Sequence, residues 1–180
     1  MKLFKYEGYN LTISEEAMLL KPFKTLWKRD KARNKENAQM ELGYIYFMED
    51  PRSDYMIYSD EEERSAQVKL GEGLPKNWKP DAAVLEAQKF YASFKSSSAL
   101  LAEDIRFAIQ KLRTKMRSMD LDALDDKGKP IYSIDSYTRT IKQIPELIIS
   151  LDEAERTLAT EITQKDKIRG SQEKAMLEDE

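Results

Sequence analysis

Apolar residues recur at helical spacing along most of this chain. Three series carry the pattern: Val84, Ala87, Tyr91 and Phe94; then Leu101, Ile105, Ala108, Ile109, Leu112, Met116 and Met119; then Leu151, Ala154, Leu158 and Ile162. Steps of three and four residues place such side chains on one face of a helix. The pattern predicts two long helical segments, over about 81–119 and 136–168, which pair as an antiparallel hairpin closed by the loop at 120–134.

Capping residues and prolines predict shorter helices in the first half of the chain. Ser14 stands where an N-cap would stand for a helix beginning at Glu15, and Pro22 starts the next helix. Between residues 22 and 48 the apolar positions separate into two helices with a turn near residues 33–34. Asp50-Pro51 ends the second of them, because proline has no backbone N–H to donate.

Two capping boxes predict further helix starts. In the first, Ser59 is the cap and Glu62 reaches back, and the helix runs to about Leu70. The second spans residues 150–153. After the helix that the first box starts, residues 71–75 form the main loop of the chain. The helix after this loop begins at about Asp81.

The region before the second box carries three further signals. Alternating apolar residues over 131–134 predict one short strand. Asp135 is expected to cap a helix over about 136–149, which Pro145 bends or interrupts.

The N-terminal residues form an aromatic-rich arm. Phe4, Tyr6, Tyr9, Leu11 and Ile13 lie in two short runs separated by Glu7-Gly8, which indicates a β-hairpin or an extended arm. Such an arm folds back on its own core or lies across a neighbouring subunit, where these residues would dock a partner.

These elements define a mainly α fold, a multi-helix bundle that contains the long antiparallel hairpin. A chain of 180 residues is about the size of one domain. We therefore expect a single α-helical domain over residues 1–170, with the arm at 1–13 and an acidic, flexible tail at 171–180.

Composition excludes several classes of chemistry. Histidine and cysteine are both absent, so disulfides, Cys/His zinc sites and catalytic triads that use either residue are impossible. The start of the chain lacks the apolar stretch of a signal peptide, and the longest apolar run, over residues 44–48, is far too short to cross a bilayer. We expect a protein made in the cytoplasm, without a membrane partner.

The remaining motifs predict no active site. A calcium loop beginning at Asp120 would place Leu124 at a ligand position and Asp125 where glycine must turn. Gly71 and Gly73 lack the spacing of a phosphate-binding loop. An enzyme that uses carboxylates alone would need two of them to converge in one pocket with raised pKa values. The sequence therefore predicts no catalytic residue, metal or cofactor.

Charge is strongly segregated although the net charge is only −3. Residues 21–37 hold seven basic and two acidic residues, a net +5, whereas residues 49–63 hold one basic and seven acidic residues, a net −6. The basic segment is a solvated helix face, a contact to DNA phosphates, or half of a contact between subunits. Between the last two interpretations, the acidic neighbour favours the contact between subunits, because a head-to-tail ring needs two complementary patches on each copy. The candidate interface residues are Lys24, Lys28, Arg29, Lys31 and Arg33 on one side and Glu49, Asp50, Asp60, Glu61, Glu62 and Glu63 on the other.

The first 70 residues or so resemble virion structural proteins of crAss-like and related tailed phages. The resemblance lies in the runs at 5–17 (KYEGYNLTISEEA), 20–31 (LKPFKTLWKRDK), 42–48 (LGYIYFM) and 50–55 (DPRSDY). It implies a head–tail connector or ring protein of the virion, assembled as a homo-oligomeric ring of twelve copies that stacks below the portal with other ring and tail proteins. It implies also that DNA passes through the channel without sequence-specific binding, and it brings no catalytic residue. A DNA-binding packaging or ejected cargo protein is the alternative.

Overall fold

The arm is a β-hairpin, as predicted. The computed structural model describes residues 3–8, 10–75 and 77–178, with backbone alone for Glu7 and for residues 165–178. Strands β1 (Phe4–Glu7) and β2 (Asn10–Ile13) pair antiparallel, with Phe4 opposite Ile13. Gly8 has a φ of 56°, a conformation that glycine adopts without steric cost. Leu3 and Phe4 are fully buried, so the hairpin folds onto its own unit.

Two short helices follow where their caps predict them. The hydroxyl of Ser14 accepts a hydrogen bond from the Ala17 amide at the start of α1 (Glu15–Leu19). Pro22 lies in the first turn of α2 (Lys21–Arg29), where a missing N–H costs nothing. Phe23 and Leu26 form the buried face of α2.

The central helix is α3 (Glu36–Glu49), which is buried continuously from Leu42 to its end. It packs against α2, α4 (Glu61–Gly71), α5 (Ala82–Ala92) and a 3-10 helix at Asp54–Ile57. Enclosure on several sides explains why its apolar residues run without interruption instead of forming one stripe. Phe4 of the hairpin joins this core, with ring centroids 5.5 Å from Phe23 and 5.0 Å from Tyr91.

The cap of α4 differs from the prediction by one residue. Asp60, and not Ser59, accepts hydrogen bonds from the Glu62 and Glu63 amides, both at 3.1 Å. A carboxylate at the N-cap also meets the positive end of the helix dipole, which favours it over a hydroxyl. Asp81 caps α5 in the same way, close to the predicted start.

Contacts within the chain cluster into two units, one up to Lys95 and one from Ser96 onward. The prediction of a single domain over residues 1–170 stays a prediction. Unit 1 holds the large core around α3. Unit 2 begins at Ser96, whose hydroxyl caps α6.

Unit 2 contains the predicted antiparallel helical hairpin, formed by α6 (Ser97–Ser118) and α7 (Ile134–Glu178). Its first arm is α6 alone and not the whole of 81–119, because α5 belongs to the core of unit 1. The hairpin seam is small: Ala102, Ile105 and Ala154 are buried, and Ile109, Leu147 and Leu151 pack against them.

Three predictions around α7 are wrong. Residues 131–134 form no strand, and the described loop has a single bridge, between Leu124 and Pro130. The helix begins at Ile134, so Asp135 lies in its first turn instead of capping it. Pro145 and the box at 150–153 both lie inside α7, so neither interrupts the helix, and the predicted bend at Pro145 stays a prediction.

The backbone of α7 continues to Glu178, through most of the segment 171–180. The predicted flexibility of that tail concerns its mobility in solution and stays a prediction. In the described part of the chain, no helix combines the length and the apolar character needed to cross a membrane.

Candidate interaction surfaces

The basic surface of unit 1 lies on α2 and the loop that follows it. Lys24 and Lys28 are exposed on the side of α2 opposite its buried residues, and Lys31 and Arg33 are exposed in the loop. Within the described residues none of these four cations forms an ion pair. We call Lys24, Lys28, Lys31 and Arg33 the basic stripe. Its charges are free to meet an anionic partner.

Arg29 is not part of this free surface. Its guanidinium lies 2.5 Å from Glu41 and 2.6 Å from Asp81, and so joins α2 to α3 and to the cap of α5. Burial raises the pKa of the Glu41 carboxyl, and the Arg29 hydrogen bond only partly offsets it. Arg29 therefore links three helices within unit 1, and its charge is already paired.

The loop after α2 is held by Asp30. Its carboxylate accepts hydrogen bonds from the Ala32 amide at 2.8 Å and the Ala38 amide at 3.0 Å, and these hold the pKa of Asp30 below its usual value. Lys35 takes the left-handed conformation, with a φ of 54°, and donates to the Asp30 carbonyl. Lys31 and Arg33 thus project from an ordered loop.

An open depression of about 500 Å³ lies beside this loop. It is lined by Arg29, Asp30, Lys31, Ala32, Asn37 and Glu41. Burial raises the pKa of Glu41 within this depression, whereas hydrogen bonds from the Ala32 and Ala38 amides lower that of Asp30. Both carboxylates hold hydrogen bonds that organise the loop and helices around them.

The acidic surface of unit 1 lies at the start of α4. Glu61, Glu62 and Glu63 are exposed in its first turn, and Asp60 is half-buried as the cap. We call Asp60 to Glu63 the acidic turn. Its carboxylates stabilise α4 through the helix dipole, and those of Glu61 and Glu62 are exposed to solvent.

Glu49 and Asp50, the other two predicted acidic interface residues, are buried. Glu49 lies 2.7 Å from Lys95 and 2.6 Å from the Gln88 amide nitrogen. Asp50 holds Arg52 at 2.7 Å and accepts a hydrogen bond from the Tyr91 hydroxyl. With their carboxylates inside unit 1, neither residue offers a surface to a second copy.

Burial disfavours the charge of Asp50, but the hydrogen bonds from Arg52 and Tyr91 outweigh it and hold its pKa below the usual value. Arg52 also donates to the Phe4 carbonyl at 3.3 Å. This buried network therefore joins α3, α5 and the hairpin. The sequence did not predict this network, because Gln88 and Tyr91 show only the pattern of a helix and no sign of their distant partners.

Most of the predicted docking arm packs against the core of unit 1. Phe4 is fully buried, and Tyr6 packs edge-on against Phe47 at 5.2 Å between ring centroids. Leu11 is half-buried beside Gly43, and Tyr9 lies outside the described residues. Of the two arrangements expected for the arm, these contacts match the one folded on its own core.

Comparison with known proteins finds no matching family model, no similar curated protein and no similar solved structure. Among the described residues, no group of acidic side chains is arranged to hold a metal ion. Unit 1 presents two charged surfaces, the basic stripe and the acidic turn.

Proposed function

We propose that this protein is a structural subunit of a tailed-phage virion, a head–tail connector that assembles as a ring below the portal around the DNA channel. One observation carries the proposal. The basic stripe lies on α2 and the loop that follows it, the acidic turn lies on α4, and both helices pack against α3. A single copy therefore presents two complementary surfaces on one folded unit.

Complementary patches at different places on a subunit generate head-to-tail contacts, and these close into a ring when the rotation per copy allows it. Electrostatic pairing of this kind sets orientation and speeds encounter more than it adds affinity. The sequence resemblance over the first 70 residues or so supplies the virion setting, the twelve-copy ring and the portal as neighbour. Ring formation around a channel needs no catalytic group.

The mass of the purified full chain, alone and mixed with the portal protein, tests this proposal. We expect a ring of defined copy number, or a monomer that becomes a ring on the portal. A chain that stays monomeric and joins neither the portal nor another virion ring protein would contradict the proposal.

The exposed lysines of α2 favour one second candidate, a DNA-binding packaging or cargo protein. Lys21, Lys24 and Lys28 follow one face of α2, and such a row can contact phosphates. Binding to duplex DNA would then weaken with salt, with a slope of about −0.9 for each phosphate neutralised. Lys24→Glu with Lys28→Glu should abolish that binding, whereas Glu61→Lys with Glu62→Lys should strengthen it.

A further inference from the structure

Unit 2 leaves a row of isoleucines uncovered on α7. Ile134, Ile141 and Ile148 follow one another at intervals of seven residues and are 70%, 44% and 46% exposed. Ile149 is 60% exposed beside them, and Pro145 is exposed within the same stretch. We call these five residues the isoleucine flank.

The flank is a second apolar stripe on a helix that already has one. Leu147, Leu151 and Ala154 face α6 in the hairpin seam. Glu155 follows Ile148 by seven residues, and it pairs with Arg106 of α6 at 2.6 Å. The flank therefore lies on the side of the hairpin where this ion pair lies, next to the seam and not within it. A helix with apolar residues on two adjacent sides is typical of a bundle of more than two helices.

Unit 2 buries few of its large apolar side chains. Three buried residues form its core, whereas eleven of the sixteen exposed large apolar side chains of the described chain lie in this unit. A helix pair the length of α6 offers a face about 33 Å long and roughly 20 Å wide. Such a face approaches the roughly 800 Å² per partner of a stable protein interface.

Charge along the hairpin indicates what covers the flank. The Arg106–Glu155 pair sets the register and places the middle of the helix pair near residues 108 and 153. The half towards the connecting loop, residues 109–118 and 134–152, has a net charge of +3, and the loop at 119–133 adds −2. The other half, residues 97–108 and 153–164, has a net charge of −3. A second copy in the same direction would set the two −3 halves together, whereas a reversed copy sets each against a positive half.

We infer that the isoleucine flank packs against the hairpin of a second copy of this chain, antiparallel to the first, so that two hairpins form a four-helix bundle. This contact goes beyond the proposed function and is independent of it, because it uses unit 2 whereas the connector contact uses unit 1. It gives the assembly an isologous pairing in addition to the head-to-tail one.

Lysine substitutions on the flank of the full chain test the inference. Ile141→Lys with Ile148→Lys should weaken pairing by at least about tenfold in Kd, because each substitution places a charge without a partner in an apolar contact. The matched control, Gln143→Lys with Ser150→Lys, adds the same charge to exposed polar positions of α7 and should leave pairing unchanged. Sedimentation equilibrium from micromolar to near-millimolar protein measures both. A wild-type chain without a dimer, or equal effects of the two double variants, would overturn the inference.

Disulfide mapping gives a second readout that does not depend on the lysine variants, since the chain has no cysteine of its own. Asp152 follows Ile148 by one turn and lies near the middle of the hairpin, so Asp152→Cys should cross-link two copies on oxidation. Ser150→Cys, on the other side of α7, and Ile134→Cys, far from a central two-fold axis, should not. Cross-linking through Ile134→Cys would establish the parallel arrangement and overturn the inference. The two proposals can fail separately. Flank variants should lose the contact between hairpins and keep ring assembly, whereas variants of the basic stripe should lose ring assembly and keep the contact between hairpins.

Discussion

The Tyr91 hydroxyl donates a 2.5 Å hydrogen bond to the Asp50 carboxylate in the interior of unit 1. Asp50 is 3% exposed, and Arg52 occupies the rest of its carboxylate. The bond connects the end of α3 to α5 across 41 residues of sequence. It therefore stabilises the core of unit 1, the unit that carries both charged surfaces.

Asp50→Asn should lower the free energy of unfolding by about 3 kcal/mol, because it leaves the Arg52 guanidinium without its carboxylate in a partly buried site. Tyr91→Phe, which removes only one hydrogen bond, should cost about 1 kcal/mol. Urea denaturation measures both changes. Asp54→Asn is the control on an exposed carboxylate and should change little; an equal loss there would contradict a special role for Asp50.

Acid should destabilise the protein through the same carboxylate. The pKa of Asp50 is lower in the folded than in the unfolded chain, so its contribution is fully present above the unfolded value of about 3.9. That contribution is lost as the pH falls below this value through the folded pKa. Thermal melts between pH 2 and pH 6 should show a shallower acid loss for Asp50→Asn than for the wild type, and parallel curves would refute the assignment.

Gly71→Ala should destabilise unit 1 although alanine is the better helix former. A Cβ at this position would lie 2.0 Å from the Tyr55 hydroxyl oxygen and 3.0 Å from the ring carbon that bears it. The clash should exceed the gain of about 1 kcal/mol in helix propensity. In the background of Tyr55→Ala the same substitution should become stabilising, and a double-mutant cycle by urea denaturation tests that reversal of sign.

Phe4→Ala should cost about 3 to 5 kcal/mol, because the ring is fully buried against Phe23, Tyr46 and Tyr91. Thr12→Ala, at an exposed position of the neighbouring strand β2, is the control. Guanidinium denaturation measures the loss. A cost below about 1 kcal/mol would mean that the arm leaves the core in solution, free to reach a neighbour.

Local signals predicted the helices of unit 1 and the β-hairpin because their causes are local. Ser14, Pro22 and Asp81 act within one turn of their own position. The burial of Glu49 and Asp50 could not be predicted in this way, since their partners Gln88 and Tyr91 lie about forty residues away. The continuation of α7 past Pro145 also has a tertiary cause, because Leu147 and Leu151 pack against α6 beyond it.

The candidate surfaces show the same division between local and tertiary causes. The charge runs along the sequence predicted a basic and an acidic surface. Lys24 and Lys28 of the first run, and Glu61 and Glu62 of the second, are exposed. Arg29 belongs to the same run, yet its partners Glu41 and Asp81 occupy it inside unit 1. Which residues of a charge run stay available depends on what folds against them.

Co-assembly of two charge-reversed variants tests the connector account most directly. In one variant Lys24→Glu and Lys28→Glu reverse the basic stripe; in the other Glu61→Lys and Glu62→Lys reverse the acidic turn. Native mass spectrometry should show that neither variant alone forms the ring that the wild type forms, with or without portal, and that an equimolar mixture restores a ring containing both. Rings formed by either variant alone, or a mixture that fails to assemble where the wild type succeeds, would contradict head-to-tail assembly through these surfaces.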